Sequence, residues 1–107
     1  MDDVFKALAD PSRRILLDRL FMDNGQTLTQ LVEGMNMSRQ AVMKHLRVLQ
    51  AANLVTTVRV GREKLHYLNP LPIGEIYDRW IGMYDKARVA ALADLKRALE
   101  EKDDGKA

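Results

Sequence analysis

The sequence predicts a mainly α fold carrying one β-hairpin, and three observations predict it. Apolar residues recur at three- and four-residue steps through the first half of the chain and again from 73 to 101. Between 54 and 69 the period changes to two β-favouring runs around Gly61. Helix-start signals stand at Asp10-Pro11, at Thr27 with Gln30, and at Ser38, which divides the first half into short helices. At 107 residues the chain has the length of one domain, expected over 1–101, with 102–107 as a charged, frayed tail.

Residues 2–9 read as a short helix with Val4, Phe5 and Leu8 on one face. Asp10 suits an N-cap and Pro11 the first helical position, so the chain restarts there. The second helix is expected to bury Ile15, Leu16, Leu20 and Phe21, and to end near Asn24-Gly25. Thr27 and Gln30 form a capping-box pattern for a third helix over 28–35. A turn follows at Met35-Asn36-Met37, where Asn36 tolerates a left-handed backbone. Ser38 caps a fourth helix reaching Ala52, with Asn53 placed to stop it.

The run LVTTVRV, then Gly61-Arg62-Glu63, then KLHYLN reads as a hairpin. Pro70 and Pro72 are expected to break the chain. From 73 to 101 a stripe of Ile76, Trp80, Tyr84, Ala87, Ala91, Leu95 and Leu99 marks one helix about 40 Å long. No domain of this size covers such a stripe, so a second chain is expected on it. The order is a winged helix-turn-helix with a C-terminal dimerisation helix.

Composition narrows the function. The absence of cysteine excludes disulfides, thiolate metal sites and cysteine nucleophiles, and two histidines leave little for a hydrolase triad. An enzyme is not expected. No apolar run reaches the roughly 18 residues of a membrane span, and Met1-Asp2-Asp3 opens no signal peptide, so the cytoplasm is the expected location. The charge is segregated. Residues 1–37 carry 4 Lys/Arg against 6 Asp/Glu, and 68–107 carry 7 against 8. Residues 38–67 hold Arg39, Lys44, Arg47, Arg59, Arg62 and Lys64 against Glu63 alone. A basic block between acidic flanks is the footprint of a polyanion-binding surface.

Helical phase sharpens that reading. Around the fourth helix Val42, Leu46 and Leu49 fall in one arc, with Ala41, His45 and Val48 beside it. Arg39, Gln40, Met43, Lys44 and Arg47 occupy the opposite arc, which holds no acid. Gln can read adenine, Arg or Lys can read guanine, and phosphates meet the remaining charge, so this face suits a DNA major groove. Arg39, Gln40, Met43 and Lys44 are expected to face bases or the groove wall. Ser38 and Arg47 are expected near phosphates, and Arg62 and Lys64 of the wing beside the flanking backbone or minor groove. A solvated basic helix is the plainer account.

The stretches FKALADPSRR, Leu31-Val32, SRQAVMKHLRVLQAANLV and VRVGREKLHYLNP match in kind, order and spacing those of one family. Over residues 4 to about 100 the chain resembles the ArsR-type (ArsR/SmtB) bacterial repressors. The resemblance implies a homodimeric winged helix-turn-helix protein that binds a double-stranded DNA operator. It implies a recognition helix at 38–52, a wing at 54–69 and a dimer built by helices 2–9 and 73–101. Val4, Phe5, Leu8, Ile76, Trp80, Tyr84, Ala87, Ala91 and Leu95 are the candidate interface residues.

The resemblance has one departure. Metal-sensing members carry a cysteine pair where this chain has Thr27-Leu28-Thr29, or Asp and His in the last helix, where it has Asp78 and Asp85 without His. Zinc and softer metals want imidazole or thiolate, so a metal-independent branch is expected, with no cofactor and no identified effector. His45 reads as a packed or phosphate-proximal residue, His66 as a sheet-surface residue, and Asp78 with Asp85 as surface charge. Met35, Met37 and Met43 read as adaptable filling, and Trp80 and Tyr84 as aromatics of the dimer seam. Two other readings stay open: a repressor gated by a metal or small ligand at a site without cysteine, and a winged-helix module that binds protein.

Overall fold

The structure, a computed structural model, describes residues 1–104, with side chains through Lys102. Its elements are helices α1 (Asp2–Leu8), α2 (Pro11–Met22), α3 (Leu28–Glu33) and α4 (Arg39–Ala51), then strands β1 (Val55–Val60) and β2 (Glu63–Leu68). Helix α5 (Leu71–Ile76), a π-helical stretch (Tyr77–Gly82) and α6 (Met83–Asp104) follow. The chain divides into two compact units, Met1–Ile73 and Gly74 onward.

The helix starts follow the caps. Asp10 accepts hydrogen bonds from the amides of Ser12 (2.8 Å) and Arg13 (3.2 Å), with Pro11 at the first helical position. Thr27 and Gln30 close a reciprocal capping box on α3, and Ser38 Oγ accepts from the Ala41 amide at 3.1 Å. Caps of this kind contribute about 1 kcal/mol each.

The core of the first unit is Val4, Ala7, Leu16, Leu17, Leu20, Leu31, Val42, Leu46, Leu49 and Leu54, joined by Ala52 and Val55. Helix α1 therefore turns Val4 and Ala7 inward, while Phe5 stands 44% exposed. On α2 the buried set is Leu16, Leu17 and Leu20, and the expected Ile15 and Phe21 are 48% and 75% exposed. The run Ile15 to Phe21 is apolar around most of its circumference, and packing on α1 and α4 selects the arc.

Other boundaries moved for local reasons. Helix α3 ends at Glu33 and not at 35. The left-handed asparagine is Asn53 (φ 61°), just past α4, and not Asn36. Pro72 does not break the chain: it occupies the first turn of α5, where a missing N–H costs nothing. The turn of the hairpin is Gly61-Arg62 alone, with Gly61 at φ 63° and Glu63 already paired with Val60. Helix α6 continues through Asp104, so part of the expected frayed tail is helical, and 105–107 lie outside the described residues.

Two arginines fasten the helix-turn-helix to its support. Arg13 donates from Nε to the Ala7 carbonyl (2.8 Å) and from Nη2 to that of Lys6 (3.0 Å), closing the end of α1. Its Nη1 lies 3.4 Å from His45 Nδ1 on α4. Arg19 of α2 reaches α3, donating to the carbonyls of Leu31 and Gln30 (2.9 Å for the latter). A Cβ on Gly34 would overlap that guanidinium, so Gly34 is required for space and not for backbone conformation. Hydrogen bonds to a charged group contribute about 1.5–3 kcal/mol. Gly34→Ala and Arg19→Ala are each expected to destabilise the fold by about 1–2 kcal/mol, because alanine returns some backbone entropy at position 34. Combining them should cost little more than either alone, since both remove one interaction. Urea melts of the two variants and their combination check this; additive losses would show that Gly34 does not act through Arg19.

Candidate nucleic-acid interface

Helices α3 and α4 and the wing border one groove of about 900 Å³ within the first unit. One wall is the α4 stripe Arg39, Met43, Leu46, Arg47 and Gln50. Facing it are Thr27 to Gln30 at the start of α3 and Arg62 to His66 of the wing. Four cations and one acid, Glu63, line it. Field lines converge in a concave surface of one sign, so these charges act together on an anion.

The predicted residues divide between two neighbouring arcs. Arg39, Met43, Arg47, Arg62 and Lys64 line the groove. Gln40 and Lys44 follow Arg39 and Met43 by one residue, about 100° further round the helix, and are exposed. Ser38 is exposed at the helix start, and Met43 is half-buried. In this structure Arg39 Nη1 donates to Thr29 Oγ1 at 3.2 Å, so α3 holds the first cation of α4 in place. The sequence reading missed Thr29, Gln30 and Gln50. Gln50 lies eleven residues after Arg39, on the same stripe, and helical phase could have found it.

His66 corrects an expectation. It is not on the sheet surface but buried, 4% exposed, where β2 meets the segment before α3. Its backbone N–H donates to the Gln26 carbonyl at 2.8 Å, and its Nδ1 lies 2.9 Å from the same oxygen. A carbonyl only accepts, so Nδ1 carries the proton. Gln26 is buried too, its amide donating to the carbonyls of Arg19 and Asp23. Gly25, at φ 82°, packs against the Tyr67 ring and leaves no room for a Cβ without displacing it. These contacts lock the wing to the helix-turn-helix.

Desolvation holds the His66 pKa below the ordinary 6.5, and the Lys64 charge acts in the same direction, against the Gln26 carbonyl. The unfolded chain thus binds the proton more readily than the folded one. This contribution to stability is complete above pH 6.5 and is lost as pH falls from there towards the folded pKa. His66→Gln is expected to flatten the dependence of unfolding free energy on pH between about 5 and 7. Urea unfolding at both ends of that range checks it, and an unchanged slope would assign the dependence elsewhere.

The second unit carries no such charge segregation. Its outward residues include Tyr77, Trp80, Ile81, Tyr84, Val89, Leu92, Leu95 and Leu99, with Arg79 5.7 Å from the Trp80 ring centre. Tyr77 Oη donates to Asp85 at 3.4 Å, and Asp78 is exposed. Among the described residues no helix is long and apolar enough to cross a membrane.

Comparison with known proteins agrees with this geometry. A helix-turn-helix domain family matches residues 8–58, from the end of α1 through α2, α3 and α4 into the first strand of the wing. The uncharacterized HTH-type transcriptional regulator YuzN of Bacillus subtilis is 38% identical over 86 residues, covering 75% of this chain and 94% of that protein. The transcriptional repressor SdpR of the same organism is 35% identical over 69 residues, covering 64% and 76%. Among solved structures, an ArsR-like transcriptional regulator from Rhodococcus sp. RHA1 superposes with a TM-score of 0.71 at 32% identity, covering 91% of this chain and 90% of that one. The relatives are DNA-binding transcriptional regulators and not enzymes. The chain belongs to the ArsR-type family of helix-turn-helix transcriptional regulators.

Proposed function

We propose that the protein is a cytoplasmic, homodimeric repressor that binds an imperfect palindromic operator, with residues 1–101 working as a single DNA-binding and dimerisation domain. The observation that carries the reading is the groove between α4 and the wing, where Arg39, Arg47, Arg62 and Lys64 meet a single acid. Helix α4 enters the major groove. Gln40 and Lys44, with Arg39 and Met43, read base edges, and Ser38 and Arg47 touch phosphate. The wing carries Arg62 and Lys64 to the flanking backbone. The relative SdpR is a transcriptional repressor.

The dimer rests on exposed apolar surface. Tyr84, Ala87, Ala91 and Leu95 share one exposed stripe of α6, and Phe5 and Leu8 stand on α1, whereas Val4, expected at the seam, packs into the core of its own unit. A two-fold partner places two recognition helices on successive major grooves, about 34 Å apart. The test is selection from a random DNA pool by the purified protein. The expected product is an inverted repeat with half-site centres about 10 bp apart. Recovery of a single unrepeated site would overturn the dimeric reading, and no enrichment would overturn DNA recognition itself.

A further inference from the structure

The wing holds an arrangement that the contacts assigned above leave unexplained. Strand register sets Arg59 of β1 directly opposite Lys64 of β2. Side chains of directly opposed residues leave the same face of a sheet with their Cβ atoms about 5 Å apart, and like charges so placed destabilise it. Among the described residues neither cation forms an ion pair. Alternation puts Thr57 and His66 on this face as well, and sends Glu63, opposite Val60, to the other. The only acid of the wing therefore does not offset the pair. Buried His66 and half-buried Thr57 turn this face towards the helix-turn-helix, where Lys64 lines the groove and Arg59 stands exposed outside its lining.

A free hairpin gains nothing from two facing cations, whereas an anion held between them reverses the sign of the interaction. We propose that Arg59 and Lys64 form a clamp on one DNA phosphate, and that Arg59, outside the contacts assigned above, is a positioning contact of the complex. This rests on the DNA-binding reading. The clamp fixes the wing on the backbone at a point set by strand register. Arg62, in the turn beyond, adds charge without an opposed partner. The geometry favours a phosphate because two donors on adjacent strands converge on one small anion, and Arg carries a fork suited to it.

The experiment uses the whole chain and a pool of random-sequence duplexes about three helical turns long, because phosphate contacts need no particular sequence. Arg59→Gln and Lys64→Gln are each expected to weaken binding several-fold and to lower the slope of log affinity against log salt by about 0.9 for each wing engaged. The double variant should lose little more than either single, since both hold one phosphate. Arg59→Lys, which keeps the charge, should retain the slope. In the absence of DNA both neutral variants should melt at or above the wild-type temperature, since repulsion is relieved. Wild-type affinity and slope in Arg59→Gln would overturn the clamp, as would fully additive losses or a lower melting temperature in the neutral variants. Failure of the wild-type protein to bind the pool would overturn the DNA reading and the clamp together, a result distinct from the others.

Discussion

Leu95→Glu is expected to leave a folded monomer that has lost specific DNA binding. Leu95 is 56% exposed in the single chain and lies on the α6 stripe with Tyr84, Ala87 and Ala91, so a charge there takes nothing from the core. In a dimer the same position is sealed against a partner, and an unpaired carboxylate in an apolar seam costs several kcal/mol. Loss of the second half-site removes the gain of specific over non-specific binding, a factor of about 10³ or more. Ala91→Glu should behave alike. Light scattering gives the mass and gel retardation gives the affinity. A wild-type species of 12.2 kDa at micromolar concentration would sink the dimer, and a dimeric Leu95→Glu with normal binding would move the seam elsewhere.

Gln40→Ala is expected to cost about 1–3 kcal/mol per half-site on the selected operator and to blur preference at one base position. Gln40 is exposed on the outer arc of α4, and its removal disturbs no packing. Arg39→Ala should cost as much, with a further signature. Thr29 orients Arg39 through a 3.2 Å hydrogen bond, so Thr29→Val should weaken the same base preference to a smaller degree. Arg47→Ala, by contrast, should weaken binding to all sequences equally, as loss of a phosphate contact does. Binding-site selection repeated with each variant separates these outcomes. Unchanged affinity and preference in the Gln40 and Arg39 variants would show that this arc does not read DNA.

Helix α4 was legible because its signals are local and agree: a serine cap, three buried residues at helical spacing, and an acid-free opposite arc. The hairpin was legible for the same reason, through β-branched residues around one glycine. Helix α2 was not fully so. Five apolar residues between 15 and 21 admit more than one inward arc, and only contact with α1 and α4 decides between them. His66 was misplaced because its burial depends on Gln26, forty residues earlier, which no window along the chain connects to it. Arg19 and Gly34 were invisible for a related reason: the space that Gly34 leaves is filled by a side chain of another helix. The π-helical stretch has no compositional mark at all. Tyr77 to Gly82 could continue an α-helix, and the stripe read through it assumed a constant turn.

That stretch bears on how the last helix tolerates changes in length. A π-turn accommodates an extra residue that an α-turn would not, and the backbone hydrogen bonds persist on either side. Deleting one residue between 77 and 82 can therefore be absorbed by tightening the turn, with no loop opened and no charged group buried. The residues downstream then keep their phase, and the same side chains, Tyr84 to Leu95, still stand outward. The same deletion in α4 has no such slack and would turn Val42, Leu46 and Leu49 out of the core. The last helix can thus lose a residue in this stretch and keep its outward face, while α4 is held to its frame.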